Sequence, residues 1–536
     1  MKNKKDKSKS VKGYTHFDYR SSLNQNFEYV SNPENVANHG FYPLIHFKDI
    51  QKKYDKTKDR KYKQKVRKLY YSSHLDRSIY MHYASILNKK YNERIKADDM
   101  DDSVIAYRTD LRGKSSYDFA IDAFARMLEM KDCQILIGDF TSFFDELDHV
   151  ILKQKIQDLL GVERLSDDWF RVYEQITKYQ YVELGSLVYM ECQRQFFMMN
   201  SSKEKYIKGK RYTFCKCPII DFKIENIKYK DEDSWERIAF EDYSLIEPKA
   251  SSSCMDCNST ECKCSQPKNS MWKNGACINR ECYKTFNKLS KFDIEEVRRL
   301  HEINKDKHKI IKRHKDSKGI PQGTAISAIL ANVYMLDFDK QVNDMVKGLG
   351  GVYMRYSDDF IIILPDEADF KLMYGELQEI IRSVKLEVKD DKTQIYKHSL
   401  DSSPKIQCVM SQYIDGAKKN KDMVEYLGLA YDGESVEIKD ATRHKFLRRA
   451  NRKLKSILKQ REVFGDCVGT RQFRQRYTAL GKKGFMDSRT GRRVSGTYLS
   501  YEDRVNEKIY EAFDEFEKPT SVEENMSKMM RKLNKK

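Results

Sequence analysis

Two adjacent carboxylates, Asp358 and Asp359, are the residues whose type and spacing most clearly predict chemistry. An apolar run ending at Tyr356 precedes them and another follows over residues 360–364, which predicts two short buried strands joined by a tight polar turn. Neighbouring carboxylates at the tip of a buried hairpin repel each other unless a cation pairs with them. Mg2+ suits this role because it prefers carboxylate oxygen and commonly bridges to substrate phosphates. A solvated Asp-Asp turn would have the same sequence, so the turn alone leaves both interpretations open.

A third carboxylate, Asp139, follows an apolar segment that begins at Cys133 and predicts a buried strand. A helix is predicted to follow over about residues 146–160, with Gly161 ending it. Carboxylates delivered by separate strands can together hold divalent metal ions. Asp139 and the Asp358-Asp359 pair are therefore candidates for one metal site.

Another structured turn is predicted at residues 319–323, where glycine and proline allow a close approach of the backbone. Gln322 lies in this turn and is a further candidate for a site residue. The segment over residues 325–338 is apolar nearly all round, which predicts a buried helix directly after the turn.

Length and charge limit the class of protein. A chain of 536 residues is too long for one compact core and predicts several subdomains. The formal net charge of +19 and the pI near 9.1 indicate a polyanionic partner, most simply nucleic acid. No apolar run is long enough to span a membrane and the lysine-rich start lacks the apolar region of a secretory signal, so we expect a cytoplasmic protein without a membrane partner. The 12 cysteines are then not expected to form a disulfide framework.

Six sequence motifs occur in the order in which reverse transcriptases have them, and together they resemble that family. In chain order they are Arg67-Lys68-Leu69 with Asp76-Arg77, Asp139 with Phe144, Pro321-Gln322-Gly323 with Ser327, Tyr356-Ser357-Asp358-Asp359, Leu386-Glu387-Val388 followed by Lys392-Thr393, and Tyr426-Leu427-Gly428. Within the family, the chain most resembles stand-alone bacterial enzymes of the abortive-infection and phage-defence type. The tail is too short for a maturase or endonuclease module, and Ser327-Ala328 stands where intron and retron enzymes commonly carry Ser-Pro.

The resemblance implies an α+β fold of the right-hand polymerase type, with fingers, a palm made of an RRM-like antiparallel sheet plus helices, and a helical thumb. About 170 residues separate Asp145 from Gly319, far more than connecting helices need, which predicts a cysteine-rich insertion in the palm. The expected domains are a basic N-terminal extension over 1–60, fingers and the first part of the palm over 61–200, the insertion over 201–300, the palm with the catalytic hairpin and primer grip over 301–432, and a basic helical thumb with a C-terminal tail over 433–536.

The resemblance also implies the catalytic residues. Asp139 and Asp358 are expected to be the direct ligands of two Mg2+ ions, with Asp359 and Phe140 beside them. Lys392 is expected to protonate pyrophosphate as a general acid, and an ordinary surface lysine is the alternative.

The substrate and primer contacts are implied in the same way. Arg67 is expected to bind the triphosphate through its planar fork, and Phe140, Gln322 and Tyr356 to contact the incoming nucleotide. Phe144 is expected to be a steric gate that collides with a 2′-OH and so favours deoxynucleotides. The primer grip is expected at Tyr426-Leu427-Gly428.

The insertion contains a Cys-x2-Cys pair, Cys254 and Cys257, which is a strong half-site for zinc. Because the surrounding sequence has little to pack, a metal would supply folding energy that the missing core cannot. Free thiols in a flexible loop are the alternative. The site is expected to be completed by two of the later cysteines, namely Cys277 and Cys282, with Cys262 and Cys264 as alternatives.

The segment over residues 441–461 is strongly basic and contains no acidic residue. Apolar residues at helical spacing underlie that charge, which predicts an amphipathic helix. A solvated helix face is the alternative, but such a face normally mixes charges of both signs. We therefore expect a thumb helix that lies along a phosphate backbone through Arg448, Arg449 and Arg452.

These expectations combine into an RNA-directed DNA polymerase that uses deoxynucleotide triphosphates and makes a DNA product. The resemblance implies a dedicated noncoding RNA as template and a role in antiphage defence, and related enzymes can be homo-oligomers. Two alternatives stay open. One is an untemplated or homopolymer-making DNA polymerase, which could be primed by a protein hydroxyl. The other is a catalytically inactive relic that serves as an RNA-binding scaffold.

Overall fold

The computed structural model describes residues 14–54, 62–111, 113–187, 272–273, 276–277, 291–304, 309–388, 393–400, 405–413, 422–464, 470–487, 492–513 and 521–534. Its described part mixes helices and sheets, as the sequence predicts. The chain divides into two compact units. The first unit comprises Met1–Tyr91 and Phe144–Tyr334, and the second comprises Asn92–Phe143 and Met335–Lys536.

The described helices are, in chain order, α1 (Leu23–Val30), α2 (Pro33–Ala37), α3 (His74–Ala97), α4 (Ser116–Met130), α5 (Phe143–Glu146), α6 (His149–Leu160), α7 (Asp167–Thr177), α8 (Ile294–Asn304), α9 (Ser327–Tyr334), α10 (Leu336–Gly348), α11 (Phe370–Ser383), α12 (Asp440–Phe464), α13 (Thr470–Tyr477), α14 (Tyr498–Ala512) and α15 (Glu523–Asn534). 

The described strands are β1 (Leu44–Tyr54), β2 (Tyr62–Tyr71), β3 (Cys133–Asp139), β4 (Gln180–Glu183), β5 (Trp272–Lys273), β6 (Ala276–Cys277), β7 (Lys312–Arg313), β8 (Val352–Tyr356), β9 (Asp359–Pro365), β10 (Gln394–Ser399), β11 (Lys405–Cys408), β12 (Val424–Tyr426), β13 (Leu429–Tyr431), β14 (Val436–Ile438), β15 (Phe485–Asp487) and β16 (Arg492–Val494).

The first unit contains a four-stranded sheet in the order β2-β1-β4-β7. β1 lies within residues 1–60 and pairs antiparallel with β2 and parallel with β4. β5 and β6 form a separate two-stranded antiparallel pair. The four-stranded sheet is therefore assembled from segments that lie far apart in the chain.

The second unit is built on a five-stranded sheet in the order β11-β10-β3-β9-β8. β3 pairs antiparallel with both β10 and β9, and all its residues before Asp139 are buried. The predicted hairpin is confirmed as β8 and β9, which pair antiparallel on either side of the Ser357-Asp358 turn. α10 packs against β8 and α11, so the edge of the sheet that carries the hairpin is supported by helices.

The C-terminal part of the second unit is mainly helical, and its core confirms the predicted apolar stripe of α12. Phe446, Ala450, Leu454 and Ile457 are buried from this helix, and Leu458 is partly buried beside them. They pack against residues of α13, α14 and α15, which places the charged side of α12 towards solvent.

Two predicted helices differ in their bounds. The single buried helix expected over residues 325–338 is two helices, α9 and α10, separated by Met335 at φ −89° and ψ 0°. The division between the two units falls at this break. The helix expected from residue 146 begins instead at His149, because the Asp148 side chain accepts hydrogen bonds from the backbone N–H groups of Val150 and Ile151. Its predicted end at Gly161 is confirmed, with φ 72°.

Within the part of the chain that the structure describes, no helix combines the length and the apolar character needed to cross a bilayer.

Candidate active site

The backbone of the second unit brings the three predicted carboxylates together. Asp139, the last residue of β3, lies directly opposite Asp359, the first residue of β9. The backbone N–H of Phe140 donates a hydrogen bond to the Asp358 carbonyl at 3.0 Å. All three aspartates are half-buried. The central strand and the hairpin therefore deliver their carboxylates to one end of the sheet.

Gly138 makes room for the aromatic ring that packs next to the carboxylates. It pairs with Phe360, and a Cβ added to Gly138 would lie 2.2 Å from the Cζ atom of that ring. Glycine therefore lets the Phe360 ring pack over the backbone immediately before Asp139. A larger residue at position 138 would force the Phe360 ring to move from its place beside Asp139.

Phe140 follows Asp139, and its ring is part of the core. Ring centroids of Phe143, Phe338 and Phe360 lie 5.8, 5.5 and 5.4 Å from that of Phe140, and the Phe140 side chain is buried. Only the backbone of Phe140 is left to contribute to the predicted substrate and metal contacts.

The turn that presents Asp358 is strained. Tyr356 pairs with Asp359, so Ser357 and Asp358 form a two-residue turn, and Ser357 has φ 62°. A non-glycine residue in this region costs about 1–2 kcal/mol. Hydrogen bonds from the surrounding structure hold the residue in place: the Arg355 guanidinium donates to the Ser357 carbonyl at 2.9 Å, and the hydroxyls of Tyr107 and Ser357 lie 3.0 Å apart.

The donor chemistry of this site fits Mg2+, since carboxylate oxygens on adjoining strands are the ligands it prefers. Two carboxylates directly opposite each other also destabilise a pair of strands unless a cation lies between them. As their side chains stand, however, no group of three or more His, Cys, Asp and Glu residues in the described part of the chain forms a metal site. The backbone thus places the predicted ligands at one end of the sheet.

Tyr356 and Tyr426 flank the carboxylates within the second unit. Tyr356 is half-buried, and burial raises its pKa, with a further contribution from Tyr107. Burial raises the pKa of Tyr426 even more strongly, and the negative charge of Asp359 adds to the shift. Tyr426 is therefore close enough to the hairpin to sense its charge.

The predicted primer grip is a second strained hairpin. Tyr426 pairs with Leu429, so Leu427 and Gly428 form a two-residue turn, with φ values of 43° and 98°. Such a turn needs positive φ at both residues, and leucine is an unusual choice at its first position. Backbone strain of this kind is found preferentially at functional sites.

Three predicted nucleotide-site residues belong to the first unit. Arg67 is exposed on β2, and Gln322 and Phe144 are half-buried. The Gln322 turn is docked on β2, because the Tyr70 backbone N–H donates to the Gln322 carbonyl at 2.9 Å. Gly323, at φ 116°, makes this approach feasible, since a Cβ there would lie 2.5 Å from the Tyr70 carbonyl oxygen. 

Phe144 is tied to the same region, because its carbonyl accepts a hydrogen bond from the Ile320 N–H at 2.9 Å. The first unit thus brings together Phe144, the Gln322 turn and the strand that carries Arg67.

Several predicted site residues lie outside the described residues. They are Lys392 and the cysteines Cys254, Cys257, Cys262, Cys264 and Cys282. Cys277 ends strand β6, and only its backbone is described.

On α12, Arg448, Arg449 and Arg452 are exposed on the side opposite the buried stripe. Among the described residues, none of the three has an ion-pair partner, and the nearest acidic residues in the helix, Asp440 and Glu462, lie close to its two ends. The exposed face thus presents uncompensated positive charge.

Sequence reasoning missed one element of the site, the buried contact of Arg355 with Asp339. An arginine inside an otherwise apolar buried strand is a signal that could have found it, because a buried guanidinium requires a partner. The partner itself could not be identified from the sequence.

A comparison with protein families finds a match to one part of the chain. Residues 279–431 match the family model described as "Reverse transcriptase (RNA-dependent DNA polymerase)". This segment of the chain is therefore similar to reverse transcriptases. The match includes Gln322, Asp358 and Asp359, but it begins at residue 279 and so does not include Asp139. No curated protein matches the sequence.

Solved structures similar to this chain include telomerases. Apo telomerase from Candida tropicalis has a TM-score of 0.35 at 11% identity, covering 98% of this chain and 70% of that one. Apo telomerase from Candida tropicalis truncated from its C-terminal domain has a TM-score of 0.34 at 10% identity, covering 78% and 59%. Telomerase from Candida albicans in complex with a TWJ fragment of telomeric RNA has 0.32 at 13% identity, covering 77% and 48%. This chain thus spans about half to seven-tenths of the length of these proteins, and the likeness is too weak to define its fold or function.

Proposed function

We propose that the protein is an RNA-directed DNA polymerase that makes cDNA by two-metal nucleotidyl transfer. The observation that carries the proposal is the register of β3 and β9, which sets Asp139 opposite Asp359 beside the turn of a reverse transcriptase domain. Asp139 lies outside the matched segment, so its position next to the turn is an observation independent of the family match. Paired carboxylates on separate strands are what this chemistry requires.

In the proposed reaction, Asp139, Asp358 and Asp359 would hold two Mg2+ ions. When bound, such ions would supply positive charge against the charge that develops on the attacking 3′-oxygen and on the leaving pyrophosphate. The protein contributes position: β3 fixes Asp139 through its ladder with β9, and the Ser357-Asp358 turn is held by hydrogen bonds from neighbouring segments. Lys392 is proposed as the general acid for pyrophosphate.

The nucleotide would be bound by residues of the first unit. Arg67 is exposed on its strand, and its planar guanidinium is well suited to a bidentate contact with a triphosphate. Gln322 is presented by a turn that two backbone constraints keep in place. We propose that Arg67 and Gln322 bind the incoming deoxynucleotide.

We expect replacement of Phe144 by alanine to weaken the preference for dATP over ATP by about tenfold or more, because a steric clash with the 2′-OH is removed. Incorporation kinetics with both nucleotides on one RNA template measure this. Phe143→Leu is the matched control, since the Phe143 ring is buried against Phe140 and should not touch the sugar. An unchanged preference in Phe144→Ala, or a lost preference in Phe143→Leu, would contradict the assignment of Phe144 as the gate.

We also propose a structural zinc site in the cysteine-rich insertion. Purified protein is expected to carry about one or two zinc ions per chain, since four ligands make one structural site. Elemental analysis measures the content, and Cys254→Ser with Cys257→Ser should lower it by about one ion. Cys408→Ser is the control, because that free thiol is buried in the second unit and should not affect zinc. A folded protein without zinc would rule the site out.

The template is proposed to be a structured, dedicated noncoding RNA bound in part by α12. Support comes from the exposed arginines of that helix and from the net charge of +19, which is larger than a single primer-template groove needs. The resemblance to phage-defence reverse transcriptases supports a role in antiphage defence.

Primer extension tests the proposed function. Purified protein would be supplied with Mg2+ and deoxynucleotides on an RNA template, on a DNA template of the same sequence, and without template. We expect extension with RNA that depends on the template. Equal incorporation without template would favour the homopolymer-making alternative. Tight RNA binding without incorporation in any arm would favour the relic scaffold.

A further inference from the structure

The catalytic hairpin is attached to a buried ion pair between Arg355 of β8 and Asp339 of α10. Both side chains are 0% exposed. The pair is bidentate: Nε of Arg355 donates to Oδ1 of Asp339 at 2.7 Å, and Nη2 donates to Oδ2 at 2.6 Å. The Tyr353 hydroxyl also donates to Oδ1 at 2.7 Å. Both oxygens of the Asp339 carboxylate therefore accept hydrogen bonds from side chains of β8.

The third nitrogen of the same guanidinium bonds to the catalytic turn. Nη1 of Arg355 donates to the Ser357 carbonyl at 2.9 Å. Ser357 is the buried residue at φ 62° that directly precedes Asp358. Fixing its carbonyl fixes the orientation of the peptide group that leads into Asp358. One guanidinium thus connects helix α10 to the residue before the catalytic carboxylates.

Arg355 itself cannot shift easily, because its backbone is also held. Its N–H donates to the Ser103 carbonyl at 2.7 Å, and its carbonyl accepts from the Ile105 N–H at 3.2 Å. Through these bonds, residues 103–105 pair in parallel with the edge of β8. Arg355 is therefore anchored by the backbone at one end and by Asp339 at the other.

Stability alone does not explain this arrangement. A buried ion pair loses the hydration of both charges, and well-packed apolar residues of similar volume often serve a core equally well or better. A lysine could pair with Asp339 but lacks the planar fork that serves a carboxylate bidentately and a carbonyl at the same time. Arginine can make the bidentate contact to Asp339 and the contact to the Ser357 carbonyl at once, and lysine cannot.

We propose that Arg355 is a positioning residue, held by Asp339, that orients the Ser357-Asp358 turn so that the Asp358 and Asp359 carboxylates can bind a divalent metal. The proposal rests on the proposed polymerase function, and it adds to the metal ligands a residue that orients them. Outer contacts of this kind typically change metal affinity or activity by about 10- to 100-fold when they are removed.

The test uses Mn2+ as the probe, with the free Mn2+ signal in electron paramagnetic resonance as a readout that does not depend on activity. Two variants remove the hold on Ser357. Arg355→Lys keeps the charge, and the triple variant Arg355→Met, Asp339→Leu, Tyr353→Phe replaces the whole cluster by apolar side chains. For both we expect a cooperative melting transition, Mn2+ affinity lowered about 10- to 100-fold and kcat lowered similarly, with the KM for deoxynucleotide unchanged.

Two reference variants serve as controls for the Mn2+ titration. Asp358→Asn should abolish the tighter Mn2+ binding and defines its loss. His398→Gln alters a buried residue of β10 in the same sheet, where His398 contacts the Lys131 carbonyl and the Tyr431 hydroxyl. It should lower the melting temperature and leave Mn2+ affinity unchanged, as a purely structural residue would.

Folded Arg355 variants with wild-type Mn2+ affinity and kcat would overturn the proposal while leaving the polymerase function intact. Failure of both variants to fold would also overturn it, because the pair would then serve the core and not the turn. A wild-type protein that binds Mn2+ through Asp358 but incorporates no nucleotide would instead contradict the proposed function. In that case the Mn2+ titration still tests the positioning role.

Discussion

Replacing Asp358 and Asp359 together by asparagine is expected to reduce nucleotide incorporation by at least about a thousandfold. Asparagine keeps the shape of each side chain but removes the negative charge that holds a divalent metal. Single-turnover extension of a labelled primer on an RNA template measures the loss. A matched control is Asp366→Asn with Glu367→Gln, which removes the same charge just beyond the other end of β9 and should keep the activity.

The same double variant should fold at least as well as the wild type. Asp139 and Asp359 lie directly opposite each other, and like charges in that position destabilise a strand pair by up to about 1 kcal/mol. Without metal, the variant should therefore melt at an equal or higher temperature. Added Mg2+ should raise the melting temperature of the wild type alone, because a ligand stabilises only the state that binds it. Retained incorporation, or equal stabilisation of both proteins by Mg2+, would contradict the assignment of the site.

Replacing Arg448, Arg449 and Arg452 by alanine is expected to weaken RNA binding by roughly 10- to 100-fold near physiological salt. Each side chain is exposed on α12, and none has an ion-pair partner among the described residues, so all three are available to phosphates. Losing three contacts should also flatten the dependence of log K on log salt by about two units, at roughly 0.7 per contact. Filter binding over a series of salt concentrations measures both effects.

The control for this experiment removes three cations from another helical region of the same unit. Lys371, Arg382 and Lys385 are exposed on α11 or just after it, and Arg382 pairs with Glu379. Their replacement by alanine changes the net charge by the same amount and should alter the salt slope much less. Equal effects of the two triple variants would mean that net charge and not the α12 face attracts RNA.

The hairpin with its two aspartates could be predicted from sequence because its signals are local. Two apolar runs separated by a short polar turn specify paired strands, and the register follows from the turn length. Asp139 could be placed at a strand end for the same reason. The buried stripe of α12 was likewise evident from helical spacing.

Contacts between distant parts of the chain could not be predicted in this way. The register that sets Asp139 opposite Asp359 depends on sheet order, which no local pattern specifies. The Arg355–Asp339 pair is formed by a strand and a helix, and its link to the Ser357 carbonyl is a property of three-dimensional packing. The break at Met335 was missed because an apolar segment gives no signal for a helix that is interrupted for one residue.

The most direct test of the central claim is the sequence of the DNA that the purified protein makes on a heteropolymeric RNA template with Mg2+ and all four deoxynucleotides. If the aspartates at the β3 and β9 strand ends catalyse RNA-directed synthesis, the product should be complementary to the template, and the Asp358→Asn, Asp359→Asn variant should make none. A product of random or single-nucleotide sequence, or one that the variant makes equally well, would contradict it.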